Sequence, residues 1–197
     1  ALAVLAMFLC AVAAPPVAHA DFGFEAGSVS TTFETSEGVT GVPQASSHPY
    51  GFSINFNVNG SSVGSPEGGQ IRNLLIDLPA GFAGNPFAVG RCTRQEFEGG
   101  IPACSPNSQV GVLAANLEGI SVSGPIYNMV PPRGIAAQLG FSATGLNALQ
   151  QIAVKTGEGL GAESAAERYG LEVGTFGLPL AVLSVHATIW GTPAEAG

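Results

Sequence analysis

The chain has 197 residues, 14 of them acidic and 6 basic, and its formal net charge is -8 with a single lysine. Because nucleic acids and anionic lipids are bound through basic surfaces, this balance argues against both as partners. The hydrophobic share of 46% is too high for a disordered chain, and 28 glycines and 14 prolines between short apolar runs indicate many short strands and turns.

The N-terminal segment has the pattern of a signal peptide. Residues 1–14 are an unbroken apolar run, and Ala18-His19-Ala20 is a small-x-small cleavage site before Asp21. The run is shorter than the roughly 20 residues of a membrane span. We therefore expect residues 1–20 to be a signal peptide without its basic n-region, and the protein to be secreted or on the cell surface, with no integral membrane segment after cleavage.

Cys10 offers a lipoprotein alternative for this segment. Residues 7–9, Met-Phe-Leu, lack the small side chains that a lipid-modification site needs, which favours a cysteine inside a cleaved h-region. Residues 21–197 then form the mature chain, long enough for one sizeable sandwich or two small ones, and we expect a single module. We expect it to be the N-terminal part of a longer protein.

The first half of the mature chain predicts three strand regions. Residues 21–36 alternate in part and predict one or two edge strands, whereas residues 50–58 alternate strictly, with aromatic and aliphatic side chains inward. Residues 71–78 are so apolar that they fit a strand that is buried on both faces or bulged, and Pro79 closes it.

The second half predicts a longer series of strands. Leucine and alanine permit a helix over residues 180–190, but β-branched residues favour a strand there. Strands are predicted over 110–117, 120–122, 126–130 after a break at Gly124-Pro125, 135–143 and 149–156 around a turn at 144–147, 169–173 and 180–190. The expected fold is all-β, a mostly antiparallel β-sandwich of about nine to eleven short strands.

Cys92 and Cys104 lie in the long connection between two predicted strands. An even pair twelve positions apart in an exported chain predicts a disulfide. A catalytic or metal-binding thiol is the alternative, but the chain has no CxxC, no third ligand cysteine and only two histidines after residue 20. Thr93 and Glu96 match a capping box, so residues 93–98 predict a short helix in the disulfide-braced loop.

The remaining motifs give weak support for catalysis. Residues 60–64 match G-x-S-x-G around Ser62, but Pro66 and the following glycines prevent the helix that a nucleophile elbow needs. His48 and His186 are interpreted as surface or packed residues, and Glu96 and Glu98 as solvated charges. Gly157, Gly159 and Gly161 lack phosphate-loop spacing, and only two aspartates, Asp21 and Asp77, occur for a calcium loop. We expect no catalytic residues, no metal and no cofactor.

Several motifs carry a resemblance to a known group. DLPAGFAGNP, CSPNSQVG, PIYNMVPPRGIAAQLGF and the late TIWGTPAE resemble motifs of large secreted or surface proteins of actinobacteria, and the resemblance covers most of residues 45–195. The departures are Ala80, where proline is usual, and Gln138. The resemblance implies a β-rich surface or secreted protein and transfers no catalytic residue. In physical terms, Phe82 and Phe87 are expected to fold back onto the core.

These observations favour a non-catalytic structural or adhesive module, not an enzyme, with cell-envelope proteins or glycans as its partners. The alternative is a carbohydrate-binding module attached to a downstream extracellular enzyme, although Trp190 is the only tryptophan that could form a sugar platform. A hydrolase is a third hypothesis, which a close His–Ser or carboxylate pair in a pocket would support.

Overall fold

The computed structural model describes residues 22–44, 47–59, 69–78, 81–99, 104–155 and 170–191. Within these ranges the chain forms eleven strands, one short helix and one 3-10 turn. The strands are β1 (Gly23–Phe24), β2 (Ser30–Ser36), β3 (Val39–Thr40), β4 (Gly51–Asn59), β5 (Asn73–Asp77), β6 (Gln109–Leu117), β7 (Ile120–Met129), β8 (Ala137–Ala143), β9 (Leu146–Val154), β10 (Leu171–Phe176) and β11 (Val182–Trp190). Helix α1 covers Arg94–Phe97, and the 3-10 turn covers Pro106–Ser108.

All the strands belong to one antiparallel sheet. Its order is β3-β2-β4-β11-β6-β7-β8-β9-β10-β5, and β1 pairs separately with β4. Strands β6 to β10 follow one another as a meander, whereas β11 returns to lie between β4 and β6. The prediction of an all-β, mostly antiparallel fold with a disulfide-braced loop and one short helix is confirmed.

The two halves of the sheet face each other across an apolar interior. At one end of β4, Phe56 and Val58 form a buried cluster with Val182. Leu74 of β5 and Ile71, which precedes β5, pack against this cluster. Phe82, which follows β5, packs at the other end of β4, 5.1 Å from the ring of Phe52. The edge strand β5 therefore meets β4 through side chains, which places the two halves in the layered arrangement of a sandwich.

Strand β4 shows how alternation builds this interior. Phe52, Phe56 and Val58 are buried, whereas Asn57 between them is exposed. Because successive side chains of a strand point to opposite faces, the period-two pattern assigns the aromatic residues to the inside. The predicted strand over residues 50–58 is confirmed, as are the predicted strands over 110–117 and 180–190.

The hairpin between β8 and β9 has a tighter turn than predicted. Thr144 and Gly145 both have positive φ, 47° and 84°, and they alone separate the strands. A two-residue loop with this backbone matches the right-handed twist of its strands. Strand β9 therefore begins at Leu146, three residues before the predicted start at residue 149.

Two strand predictions are wrong. Gly124-Pro125 does not break a strand, because β7 is continuous over Ile120–Met129. The ladder of β7 with β8 covers only Ile126–Met129, so the backbone N–H that Pro125 lacks is not needed for that ladder. Residues 71–78 are neither buried on both faces nor bulged. Strand β5 is an edge strand in regular register with β10, and Leu75 is 53% exposed on its outer face.

Several predictions fall on residues outside the described ranges. They are the signal peptide, Cys10, Ser62 with its G-x-S-x-G match, Pro79 and the glycines at 157, 159 and 161. Among the described residues, no helix has the length and apolar character needed to cross a membrane.

Candidate functional site

The disulfide between Cys92 and Cys104 is formed, with the two sulfur atoms 1.96 Å apart. It closes the loop that carries α1. The predicted capping box is confirmed: the backbone N–H of Glu96 donates to Thr93 Oγ1, and the backbone N–H of Thr93 donates to Glu96 Oε2 at 2.8 Å. The backbone hydrogen bond from Thr93, followed by its side-chain bond, lowers the pKa of the Glu96 carboxyl.

This loop, residues 92–104, is called the brace below, and its described part, residues 92–99 with Cys104, packs on the outer face of β7, β8 and β9. Phe97 of α1 is 1% exposed, and it shares a buried cluster with Met129, which has no exposed surface, and with Tyr127. Leu149 of β9 packs against the same cluster. Burial raises the pKa of the Tyr127 phenol.

The backbone of Cys92 forms a parallel bridge with Met129 at the end of β7. The N–H of Cys92 donates to the Asn128 carbonyl at 2.8 Å, and the N–H of Val130 donates to the Cys92 carbonyl at 2.9 Å. On the opposite face of β7, the Asn128 side chain donates through Nδ2 to the carbonyls of Pro86 and Gly90, at 2.9 and 3.1 Å. The segment that leads into the brace is therefore hydrogen-bonded to β7 from both sides.

The two phenylalanines of this segment behave differently. Phe82 folds back onto Phe33 and Phe52 as predicted. Phe87 does not: its side chain is 73% exposed, and the Arg91 guanidinium lies over its ring at 4.7 Å. The prediction that Phe87 returns to the core is wrong, because the cation–π contact holds the ring at the surface.

Removal of the disulfide is expected to destabilise the chain. The double substitution Cys92→Ala with Cys104→Ala should lower the free energy of unfolding by roughly 3 kcal/mol, since a cross-link of this loop length restricts the unfolded chain. Urea unfolding of the oxidised chain and of the variant measures the difference. Intact mass before and after reduction supplies the control, and free thiols at both positions in the chain purified without reductant would contradict the assignment.

Gly140 of β8 permits the close packing of the brace. A Cβ at this position would lie 2.9 Å from Met129 Sδ and 2.9 Å from Phe97 Cε2. We expect Gly140→Ala to cost about 1–3 kcal/mol of stability through overpacking. Gly23→Ala is the matched control, because its new Cβ would meet only the Asn59 side-chain oxygen at 4.0 Å. Equal unfolding midpoints for the two variants would refute this role of Gly140.

A polar groove of about 370 Å³ lies on the outer face of β4, β11, β6 and β7. Its side chains form two cross-strand rows in register. The first row is Asn57, Ser184, Asn116 and Ser121, and the second is Asn55, His186, Ala114 and Ser123. In this groove, called the polar groove below, the Oδ1 atom of Asn116 is buried and has no hydrogen-bond partner among the described residues. Sequence reasoning missed it, because the register of β11 between β4 and β6 is not encoded locally.

His186 lies in the polar groove within a short hydrogen-bonded chain. Its Nδ1 contacts Asn55 Oδ1, and its Nε2 lies 3.5 Å from Thr188 Oγ1, which is itself 2.8 Å from Ser53 Oγ. A hydroxyl, an imidazole and an amide in this order resemble the parts of a hydrolytic site. However, the surrounding backbone N–H groups are engaged in the ladders of β11 with β4 and β6, so they do not point toward an oxyanion.

The other candidate residues do not come together. Glu98 is paired with Arg94 at 2.7 Å on the exposed side of α1, so Glu96 and Glu98 are not an acid–base pair. Asp77 forms an ion pair with Lys155 at 2.7 Å, and His48 is exposed in a loop. In the part of the chain that the structure describes, no group of three or more His, Cys, Asp or Glu is arranged to hold a metal ion.

A large concavity lies in the interior between the two halves of the sheet, a cavity of about 1850 Å³. Trp190 lines it and is only partly exposed, so it does not form an open sugar platform. Sequence analysis predicted an apolar core but not this space. The available signal was the alanines at inward positions of central strands, Ala137, Ala148 and Ala187, each of which leaves volume unfilled.

Comparison with known proteins does not assign the chain to a family. No family model matches the chain, and neither a curated protein nor a solved structure matches it.

Proposed function

We propose that this protein is a non-catalytic structural or adhesive module of a secreted or cell-surface protein. The brace is the observation that supports this proposal. Its cysteines, its aromatic residue Phe97 and its capped carboxylate Glu96 are all used to fix the loop on β7 and β8. Residues that first suggest a reactive site are thus structural.

The chemistry of the brace also fits export. Disulfides persist in oxidising compartments, and a buried disulfide next to Tyr127 and Met129 is shielded from reductants by its packing. Together with the signal-peptide pattern at residues 1–20, this supports a role outside the cytoplasm.

An adhesive role needs an exposed contact surface, and one lies next to the brace. Phe87 is held outward beneath Arg91, and Val130, directly after β7, is 44% exposed. Aromatic and arginine side chains are frequent anchors in protein interfaces. We therefore assign the contact with envelope partners to this surface and not to the interior of the brace.

The purified chain is expected to show no hydrolase activity. Ester and glycoside substrates should turn over at the buffer rate, and Ser62→Ala and His186→Ala should leave that rate unchanged, since the groups around His186 lack an oxyanion site. Release of a chromogenic leaving group measures this. Turnover by the unsubstituted chain that is lost in either variant would contradict the proposal.

Carbohydrate binding is a second candidate, and the polar groove favours it. Asparagine amides and serine hydroxyls both donate and accept, as sugar recognition requires, and both line this groove. The aromatic residues favour it less, because Tyr127 is buried and Trp190 lines the interior.

A glycan array separates the two candidates. If the polar groove binds sugar, reproducible signals should fall by about tenfold in Asn116→Ala, as expected for the loss of one buried hydrogen bond. Asn107→Ala, a change at an exposed asparagine of the 3-10 turn, should leave them unchanged. A blank array with a correctly folded chain would remove the carbohydrate candidate and leave the structural one standing.

A further inference from the structure

The interior of the sheet is only partly filled by the residues that the structure describes. Ala148 of β9, Ala187 of β11 and Leu139 of β8 point into it, yet each keeps accessible surface although its strand lies in the middle of the sheet. The cavity of about 1850 Å³ exceeds the roughly 300–1,000 Å³ of common small-molecule pockets. Protein interiors are normally packed without such voids. The space is therefore suited to a large ligand.

The lining determines what kind of ligand fits. No Asp, Glu, Lys or Arg contributes to it among the described residues, and the majority of its side chains are aliphatic or aromatic. The buried amide of Asn128 already donates to two loop carbonyls. Gln150 and Thr175, directly opposite each other on β9 and β10, add an amide and a hydroxyl. A charged group would lose its hydration here without gaining a counter-ion.

We infer that this interior binds the acyl chains of a neutral lipid. Hydrocarbon needs no hydrogen-bond partner, and apolar cavities accept apolar guests. A peptide segment would fit less well, because its own N–H and C=O groups would need partners. The backbone N–H and C=O groups of the strands that line the cavity are already paired with neighbouring strands.

The sheet topology supplies an entrance. Strands β3 and β5 are the two ends of the strand order, and in the described ranges no ladder joins β2 or β3 to β5. The seam between them is bridged by side chains, Phe82 on Phe33 at one end and Ile71 near Phe56 at the other. Exposed Gln44, Ser47 and His48 line the same cavity and offer polar contacts for the glycerol end of a lipid. Side-chain contacts of this type can separate without loss of strand pairing.

This inference goes beyond the structural role proposed above and does not rest on it. A lipid-binding interior is compatible with an adhesive outer surface, and either property can fail without the other. It is also distinct from the polar groove, which lies on the opposite face of β4, β11 and β6.

Trp190 provides a direct test, because it is the only tryptophan and it lines the cavity. The full oxidised chain is titrated with a diacylglycerol whose oleoyl chains are brominated, since bromine quenches indole fluorescence on contact. We expect saturable quenching, and displacement by the same lipid without bromine. A chain that folds normally but whose fluorescence is not saturably quenched would overturn the inference.

A matched pair of variants locates the lipid. Ala187→Phe adds a ring inside the cavity, whereas Ala114→Phe adds the same ring on the outer face of the neighbouring strand β6. Affinity should fall by about tenfold in the first variant and stay unchanged in the second, because only the first ring occupies ligand volume. Equal affinity in both would place the lipid outside the cavity and refute the inference. If Ala187→Phe does not fold, mapping of a photoreactive acyl chain on the unsubstituted protein decides: crosslinks to the polar groove overturn the inference, and crosslinks to β8, β9 or β11 lining residues support it.

Discussion

The contact of Phe97 with Met129 across Gly140 is the interaction on which the arrangement of the brace depends. Both side chains are almost completely buried, and a Cβ on Gly140 would lie too close to each of them. The disulfide and the capping box hold α1 over this spot, and the backbone of Cys92 adds two hydrogen bonds along β7. A four-residue helix has little intrinsic stability, so its position derives from these tertiary contacts.

The same strand connects the outer and inner faces of the fold. Tyr127 and Met129 of β7 point outward into the brace, whereas Ile126 and Asn128 point inward and line the cavity. Asn128 fixes the segment at Pro86 and Gly90, and this segment also carries Phe82 to the seam near β4. Both faces of β7 are therefore covered: Tyr127 and Met129 pack in the brace, and Ile126, which has no exposed surface, packs in the apolar cluster of the interior.

Features that depend on neighbouring residues could be predicted from the sequence. The alternation of β4, the capping box at Thr93 and the pairing of Cys92 with Cys104 are local patterns with a direct physical cause. The position of β5 at an edge of the sheet could not be predicted. An apolar run has the same sequence pattern whether one face or both faces of the strand are covered. The polar groove requires β11 to insert between β4 and β6, which is a non-local pairing. Phe87 was misplaced because its contact with Arg91 competes with the core for the ring.

The charged side chains are distributed unevenly between the cavity, the polar groove and the rest of the surface. The cavity lining contains no Asp, Glu, Lys or Arg among the described residues, and the polar groove offers neutral amides and hydroxyls around His186. The ion pairs lie elsewhere, between Arg94 and Glu98 on α1 and between Asp77 and Lys155 beside β5 and β9. These ion pairs therefore lie outside the two concavities. Recognition in the concavities would depend on shape, hydrocarbon contact and neutral hydrogen bonds, none of which is visible in the sequence as a charged catalytic or metal-binding pattern.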